Sequence, residues 1–242
     1  MQHIDTKSDF GILYIATGKK YIGEAIASAT SVRQIMPQLP IAIFADEIGQ
    51  APVDLFDYIF PIENPHFSVL DKVKFLPHTP FKQTLFLDTD TMVIGSIYEL
   101  QGICQKFDLA CAHAPVRITY DIPDCPLAFP ELNTGVILYQ KSERVISFFQ
   151  SWSQLFQAQV NSKNPPLHDQ PAFRKSLYDS QLSYYILPPE YNLRTVMPMF
   201  IGGNARAKIL HGREPGLSRL SSQLKQLPVR QNPRVSLLQT DV

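Results

Sequence analysis

Thr84-Leu85-Phe86-Leu87-Asp88-Thr89-Asp90 is a run of apolar strand formers that ends on two carboxylates at i and i+2. In an open α/β sheet, ligands bind at the C-terminal ends of the strands. Two carboxylates this close repel unless a cation lies between them. Oxygen ligands suit Mg²⁺ or Mn²⁺, ions that can also grip a diphosphate. The plainer alternative is a strand followed by a turn, with both aspartates solvated.

The residues upstream put this strand in context. Residues 10–16 (FGILYIA) read as a first strand, ending at Thr17-Gly18. Ile22, Ala25, Ile26, Ala29 and Val32 then recur at helical spacing until Pro37 and Pro40. Residues 41–45 (IAIFA) read as a second strand and 58–62 as a third, and 67–76 as a helix stopped by Pro77 and Pro80. With residues 84–87 as the fourth strand, this β-α-β-β-α-β order predicts an α/β sandwich with a mostly parallel sheet. Downstream, 108–112 and 136–139 read as strands. Val145, Phe148, Phe149, Trp152, Leu155 and Phe156 form a helical stripe, so Trp152 reads as core. Residues 113–132 contain four prolines and no periodicity, and a loop of that length in a compact domain usually serves function. His113, Arg117 and Tyr120 in it are candidates to line a ligand pocket.

Composition excludes several classes. Of 242 residues, 45% are hydrophobic and 18% charged, below the usual ~25% charged, which rules out a disordered chain or a coiled coil. Net charge is zero, giving no hint of nucleic acid. Its distribution is uneven: residues 1–189 carry 14 basic and 19 acidic side chains, residues 190–242 carry 8 and 3. Within the basic tail, Leu217, Leu220, Leu224 and Leu227 with Arg219, Lys225 and Arg230 read as an amphipathic helix. Such a helix docks on the protein's own surface, or on an anionic membrane or a partner. The three cysteines, Cys104, Cys111 and Cys125, have no CxxC spacing, and a reduced, cytoplasmic setting is the simple expectation. No apolar run approaches the ~18 residues of a membrane span. The N-terminal MQHIDTKSDF lacks the apolar core of a signal peptide.

Other chemistries begin with the same acidic pair. Haloacid-dehalogenase-type phosphatases open with a strand ending DxDx(T/V), but here Met92 holds the fifth position and the strand is the fourth. No Asp-Asp pair occurs to supply their later acidic motif. No GxxxxGK(S/T) precedes the strand, which argues against a P-loop enzyme.

The segment from Asp71-Lys72-Val73-Lys74-Phe75-Leu76 to Leu87-Asp88-Thr89-Asp90-Thr91-Met92-Val93 resembles one in glycogenin and its relatives. There a Lys-bearing helix precedes the strand and DxD by the same interval. Four more segments agree in order. Tyr14-Ile15-Ala16-Thr17 to Tyr21 resembles the first strand and nucleotide loop. Asn133-Thr134-Gly135-Val136 resembles the family's N-(S/A/T)-G-V strand, and His168-Asp169-Gln170 its DQ motif. Tyr191-Asn192-Leu193 followed by Lys208-Ile209-Leu210-His211-Gly212 resembles its C-terminal end. The resemblance covers about residues 10–215, and five short motifs in the right order are far more specific than one.

That resemblance implies a retaining nucleotide-sugar glycosyltransferase with the GT-A fold, occupying residues 1–215 as one domain before a basic tail at 216–242. It implies that Asp88, Asp90 and His211 hold Mn²⁺ (or Mg²⁺). It further implies that Thr17, Tyr21, Lys72, Thr89, Gly212 and Arg213 join Asp88 in binding a UDP-sugar, and that Asn133, Asp169 and Gln170 face the transferred sugar. The transfer implied is of a hexose to a hydroxyl acceptor. By local sequence alone Asp169 reads as an N-cap, and the order of the motifs reverses that reading. The family's H-x-x-G-x-x-K-P-W is shortened here to His211-Gly212-Arg213-Glu214-Pro215-Gly216, with Arg213 in the place of the lysine. A non-catalytic nucleotide-sugar-binding relative, and a DxD phosphatase or sugar nucleotidyltransferase, stand as alternatives.

Overall fold

The computed structural model describes residues 8–117, 122–166, 168–196 and 205–226. In chain order, β1 (Ser8–Ala16) leads to α1 (Lys19–Ile35), β2 (Ile41–Ala45), β3 (Tyr58–Pro61), α2 (Val69–Phe75) and β4 (Phe81–Leu87). There follow β5 (Thr91–Val93), α3 (Leu100–Cys104), β6 (Leu109–His113), β7 (Leu132–Gln140), α4 (Glu143–Val160) and α5 (Gln170–Asp179). The described chain continues with β8 (Tyr184–Leu187), β9 (Leu193–Arg194), β10 (Ile209–His211) and α6 (Gly216–Gln226).

The main sheet has the order β3-β2-β1-β4-β7-β6-β8. Its strands are parallel except β7, which is antiparallel to both neighbours, β4 and β6. This is the mostly parallel α/β sandwich expected from the first four strands. Side chains alternate across it. Ile12, Tyr14, Leu85 and Leu87 face a core with Ile22, Ala25, Ala29 and Val32 of α1 and with Leu100 and Cys104 of α3. Leu13, Phe44 and Phe86 face a second core with Val73, Phe149, Trp152 and Phe173 from α2, α4 and α5. Burial on both faces explains why the central strands read as unbroken apolar runs.

Three expectations shift in detail. The α2 helix begins at Val69 rather than 67, because Ser68 is its N-cap, accepting from the Leu70 N–H, and Phe67 is in the left-handed region at φ 50. Its C-terminal end passes into a 3₁₀ turn over Leu76–His78. Strand β4 starts at Phe81, because the ladder to β1 begins with Phe81 opposite Ser8 even though Lys82 and Gln83 interrupt the apolar run. Strand β7 starts at Leu132, so Asn133 and Gly135 are strand residues.

A second sheet, β5-β10-β9, has no counterpart in the sequence expectations. Its strands have two or three residues each, too short for any periodicity to register. Helix α6 packs on it, burying Leu217 and Leu220 against Leu193, Ala207 and Leu210, with Leu224 partly covered. Leu227 and Arg230 of the expected amphipathic stripe lie outside the described residues, as does Tyr120. Cys104, Cys111 and Cys125 are free and buried, and burial pushes the Cys104 thiol up to about 12, far from a reactive thiolate. Among the described residues, no helix is long and apolar enough to cross a membrane.

Candidate functional site

Parallel strands β1 and β4 end at the same sheet edge, and antiparallel β7 begins there. The Asp88 N–H donates to the Gly135 carbonyl at 2.7 Å, so the sequence Asn133-Thr134-Gly135 runs beside the acidic pair. The small sheet completes the edge. β10 pairs antiparallel with β5, setting His211 opposite Thr91, and the Gly212 N–H donates to the Asp90 carbonyl at 2.8 Å. Gly212 has φ 150, and a Cβ on it would lie 1.9 Å from the Thr195 hydroxyl, so only glycine fits.

The result is a cavity of about 410 Å³ between α2, the β4 end and β10. Thr17, Tyr21, Lys72, Asp88, Thr89, Asp90, His211 and Arg213 all line it. Asn133, Asp169, Gln170 and Gly212 are not among its lining residues. Thr17 donates through Oγ1 to Asp71 Oδ2 at 2.9 Å, and Asp71 also accepts from the His66 N–H at 2.9 Å. Asp71 thus ties Thr17, between β1 and α1, to the segment carrying Phe67. The Phe67 ring is 62% exposed at the cavity mouth, where Tyr21 is also exposed. Thr89 donates its hydroxyl to Glu24 of α1 at 2.9 Å, and Glu24 accepts from Arg213 Nε at 3.1 Å.

Lys72 Nζ lies 2.9 Å from Asp169 Oδ2 and 3.4 Å from Asp88 Oδ1. Burial opposes its charge, but those two carboxylates outweigh burial and hold the ammonium well above the ordinary lysine range. Asp169 occupies the N-cap position of α5, yet its side chain makes no cap bond. It accepts instead from Thr134 Oγ1 at 2.9 Å and pairs with Lys72. The capping alternative for this carboxylate is therefore excluded.

His211 Nε2 lies 3.4 Å from Asp90 Oδ1 and 3.9 Å from Asp88 Oδ2. Burial opposes charge on Asp90, but His211, Arg213 and Arg194 together hold its carboxyl well below the usual range. Asp88 shifts the other way: burial raises it, and Lys72 and His211 only partly offset that. The ligand atoms of Asp88, Asp90 and His211 all lie within 4.8 Å of one another. Two carboxylates and one imidazole suit a divalent ion such as Mn²⁺, and the space between them is kept by Gly135. A Cβ there would fall 2.1 Å from His211 Cε1 and 2.8 Å from Asp88 Oδ2. Gly135→Ala is expected to weaken Mn²⁺ binding by about tenfold or more, as loss of a positioned ligand does. An EPR titration of the folded variant checks this, and an unchanged affinity refutes it.

Three residues at the site escaped sequence reasoning. Arg194 lines the cavity, with Nη1 2.8 Å from His211 Nε2. Asn192 is wholly buried, with Oδ1 2.8 Å from His211 Nδ1. Glu24 joins Thr89 to Arg213. Asn192 lies within the Tyr191-Asn192-Leu193 signal, which carried no role; for Arg194 and Glu24 nothing in the sequence singled them out.

No protein-family description matches the sequence, and no curated protein matches it. Solved structures do. The chain superposes on the glycosyltransferase GlyE of Streptococcus pneumoniae TIGR4 with a TM-score of 0.62 and 15% identity, over 90% of this chain and 61% of that one. It thus spans less than two thirds of GlyE. It superposes on the galactosyltransferase LgtC, solved with donor and acceptor sugar analogs, with a TM-score of 0.59 and 12% identity, over 90% of this chain and 97% of that one. At such identities the likeness is one of fold, and over 90% of its length this chain has the GT-A architecture of these two glycosyltransferases.

Proposed function

We propose that this chain is a glycosyltransferase that moves a hexose from a UDP-sugar to a hydroxyl acceptor, in the presence of Mn²⁺ (or Mg²⁺) and with retention at the anomeric carbon. The observation that carries this reading is the meeting, in one cavity, of the Asp88-Asp90-His211 group with the Lys72 ammonium. Breaking a sugar–phosphate bond builds negative charge on the departing nucleoside diphosphate. A divalent cation held by Asp88, Asp90 and His211 supplies compensating positive charge there.

The chain's own residues supply the rest. Lys72 is fixed by Asp169 and Asp88, so its charge is held in position before the donor arrives. Arg213 is half-exposed at the cavity edge, leaning on Asp90 at 3.5 Å, within reach of a phosphate. Its planar fork takes over from the lysine of the family pattern. Tyr21 offers an exposed ring for the nucleotide base, with Thr17 beside it. Thr89 and Gly212 shape the turn at the phosphates through Glu24 and the Asp90 carbonyl. Asp169, Gln170 and Asn133 form the sugar side, where a carboxylate or amide oxygen stabilises oxocarbenium character. The reduced, buried thiols fit a cytoplasmic protein.

The test is thermal unfolding with UDP, GDP and ADP, each with and without Mn²⁺. A ligand at a hundred times its Kd stabilises by ~2.7 kcal/mol, which is roughly 5–10 °C for a chain of this size. The expected result is a shift with UDP that requires Mn²⁺ and vanishes in Asp90→Ala. No shift with any nucleotide would overturn the reading. UDP binding with neither transfer nor slow donor hydrolysis would mark a nucleotide-sugar-binding protein instead.

A further inference from the structure

Behind the cavity lies a chain of side-chain amides whose direction can be derived. The Gly135 backbone N–H donates to Asn133 Oδ1 at 3.1 Å. A backbone N–H is only ever a donor, so that Asn133 atom is the carbonyl oxygen. The Asn192 atom 2.8 Å from the same oxygen must then be the NH₂ group, donating. This turns the Asn192 carbonyl toward His211 Nδ1, also at 2.8 Å, and a carbonyl there requires Nδ1 to carry its hydrogen. With Nδ1–H committed to Asn192, Nε2 is the bare ring nitrogen, facing Asp88 and Asp90 and accepting from Arg194 Nη1 at 2.8 Å. In the other direction, the Asn133 NH₂ donates to Gln170 Oε1 at 3.1 Å. One backbone N–H thereby orients His211, Asn192, Asn133 and Gln170 together.

We propose that Asn192 is the positioning residue of the site: it holds the His211 ring with Nδ1 protonated and Nε2 presented to the Asp88-Asp90 pair, and it fixes the Gln170 amide through Asn133. The inference rests on the reading of Asp88, Asp90 and His211 as a divalent-cation site. Asn192 has no exposed surface and touches neither the cavity nor a reacting atom, so it acts wholly through its two neighbours. A partner that orients a ligating histidine is worth about 10–100-fold in metal affinity.

Two variants and two readouts test it. In Asn192→Ala both bonds are lost; in Asn192→Asp the acceptor for His211 remains, but the donor to Asn133 is gone. Mn²⁺ affinity, read by EPR titration of the folded proteins, is expected to fall about 10–100-fold in Asn192→Ala and to be kept or tightened in Asn192→Asp. With a UDP-hexose as donor, Asn192→Asp is expected to lower kcat through the Gln170 side. Nitrogen-15 NMR of metal-free, histidine-labelled protein at pH 9 is expected to show hydrogen on Nδ1 of His211 in the wild type and in Asn192→Asp, and a reduced Nδ1–H population in Asn192→Ala, where Arg194 alone still selects the tautomer. Bare Nδ1 in the wild type, or equal Mn²⁺ affinity in wild type and Asn192→Ala, overturns the proposal. If Asn192→Ala does not fold, the wild-type spectrum and Asn192→Asp decide it alone. If the wild type binds no Mn²⁺ at all, the functional reading fails, and the NMR result still decides whether Asn192 orients His211.

Discussion

Asp90→Ala protein is expected to lose transfer, and donor hydrolysis, by about 100- to 1000-fold, the scale on which removing a principal electrostatic stabiliser acts. Asp90 Oδ1 faces His211 Nε2 at 3.4 Å and Oδ2 faces Arg213 at 3.5 Å. The truncation therefore deletes one of three ligand groups and also leaves Arg213 without its inner carboxylate. Asp88→Ala is expected to be as severe, with one difference. Asp88 is also a partner of Lys72, but Lys72 keeps Asp169 at 2.9 Å, so that ammonium stays charged and fixed. Initial rates with UDP-hexoses at saturating Mn²⁺, with circular dichroism to verify folding, provide the check. Full activity of either variant in metal-free buffer would sink the cation mechanism.

Trp152→Ala is expected to cost about 3–5 kcal/mol of stability, a drop of roughly 10 °C in midpoint for a chain of this size. Trp152 has no exposed surface and packs among Phe148, Phe149 and Phe173, the last with ring centroids 4.8 Å apart. Four rings from α4 and α5 interlock there, so the void left by the indole cannot collapse easily. The same indole donates Nε1–H to the Asp169 carbonyl at 3.3 Å. Trp152→Phe separates the two contributions. It keeps most of the apolar volume but withdraws that hydrogen bond, and is expected to cost about 1–3 kcal/mol. Urea unfolding of both variants measures this. Equal losses in the two would mean that packing contributes little.

The fold was legible where the chain buries both faces of a strand or one stripe of a helix. Strands β1 and β2, helix α1 and the Trp152 stripe of α4 lie where apolar spacing predicts them. The small sheet was not legible, because strands of two or three residues are defined by their partners: β10 exists through β5, across more than a hundred residues. The site divides the same way. Asp88, Asp90, Lys72 and His211 carry charge or ligand chemistry that a sequence displays. Asn192 and Arg194 matter through what they touch, and their neighbours His211 and Asn133 are remote in sequence. Asp169 was ambiguous until its carboxylate was seen to turn away from the helix end toward Thr134 and Lys72.

The β5–β10 ladder also bears on how such a chain can diverge. The chain leaves the acidic pair through Thr91–Val93 and returns to it through Ile209–His211, over the same three-residue ladder. The two ends of the intervening excursion are stapled together, and the Gly212–Asp90 bond closes the staple. Lengthening a surface loop within that excursion costs only about 0.6 kcal/mol per doubling, and the separation of Asp90 from His211 does not change with it. Surface loops in that excursion can therefore change length while Asp90 and His211 keep their geometry, whereas the segment between β6 and β7 is tied down by buried Arg174, which donates to the Phe129 and Pro126 carbonyls. On the proposed function, the donor side of the site is thereby insulated from length changes in those loops.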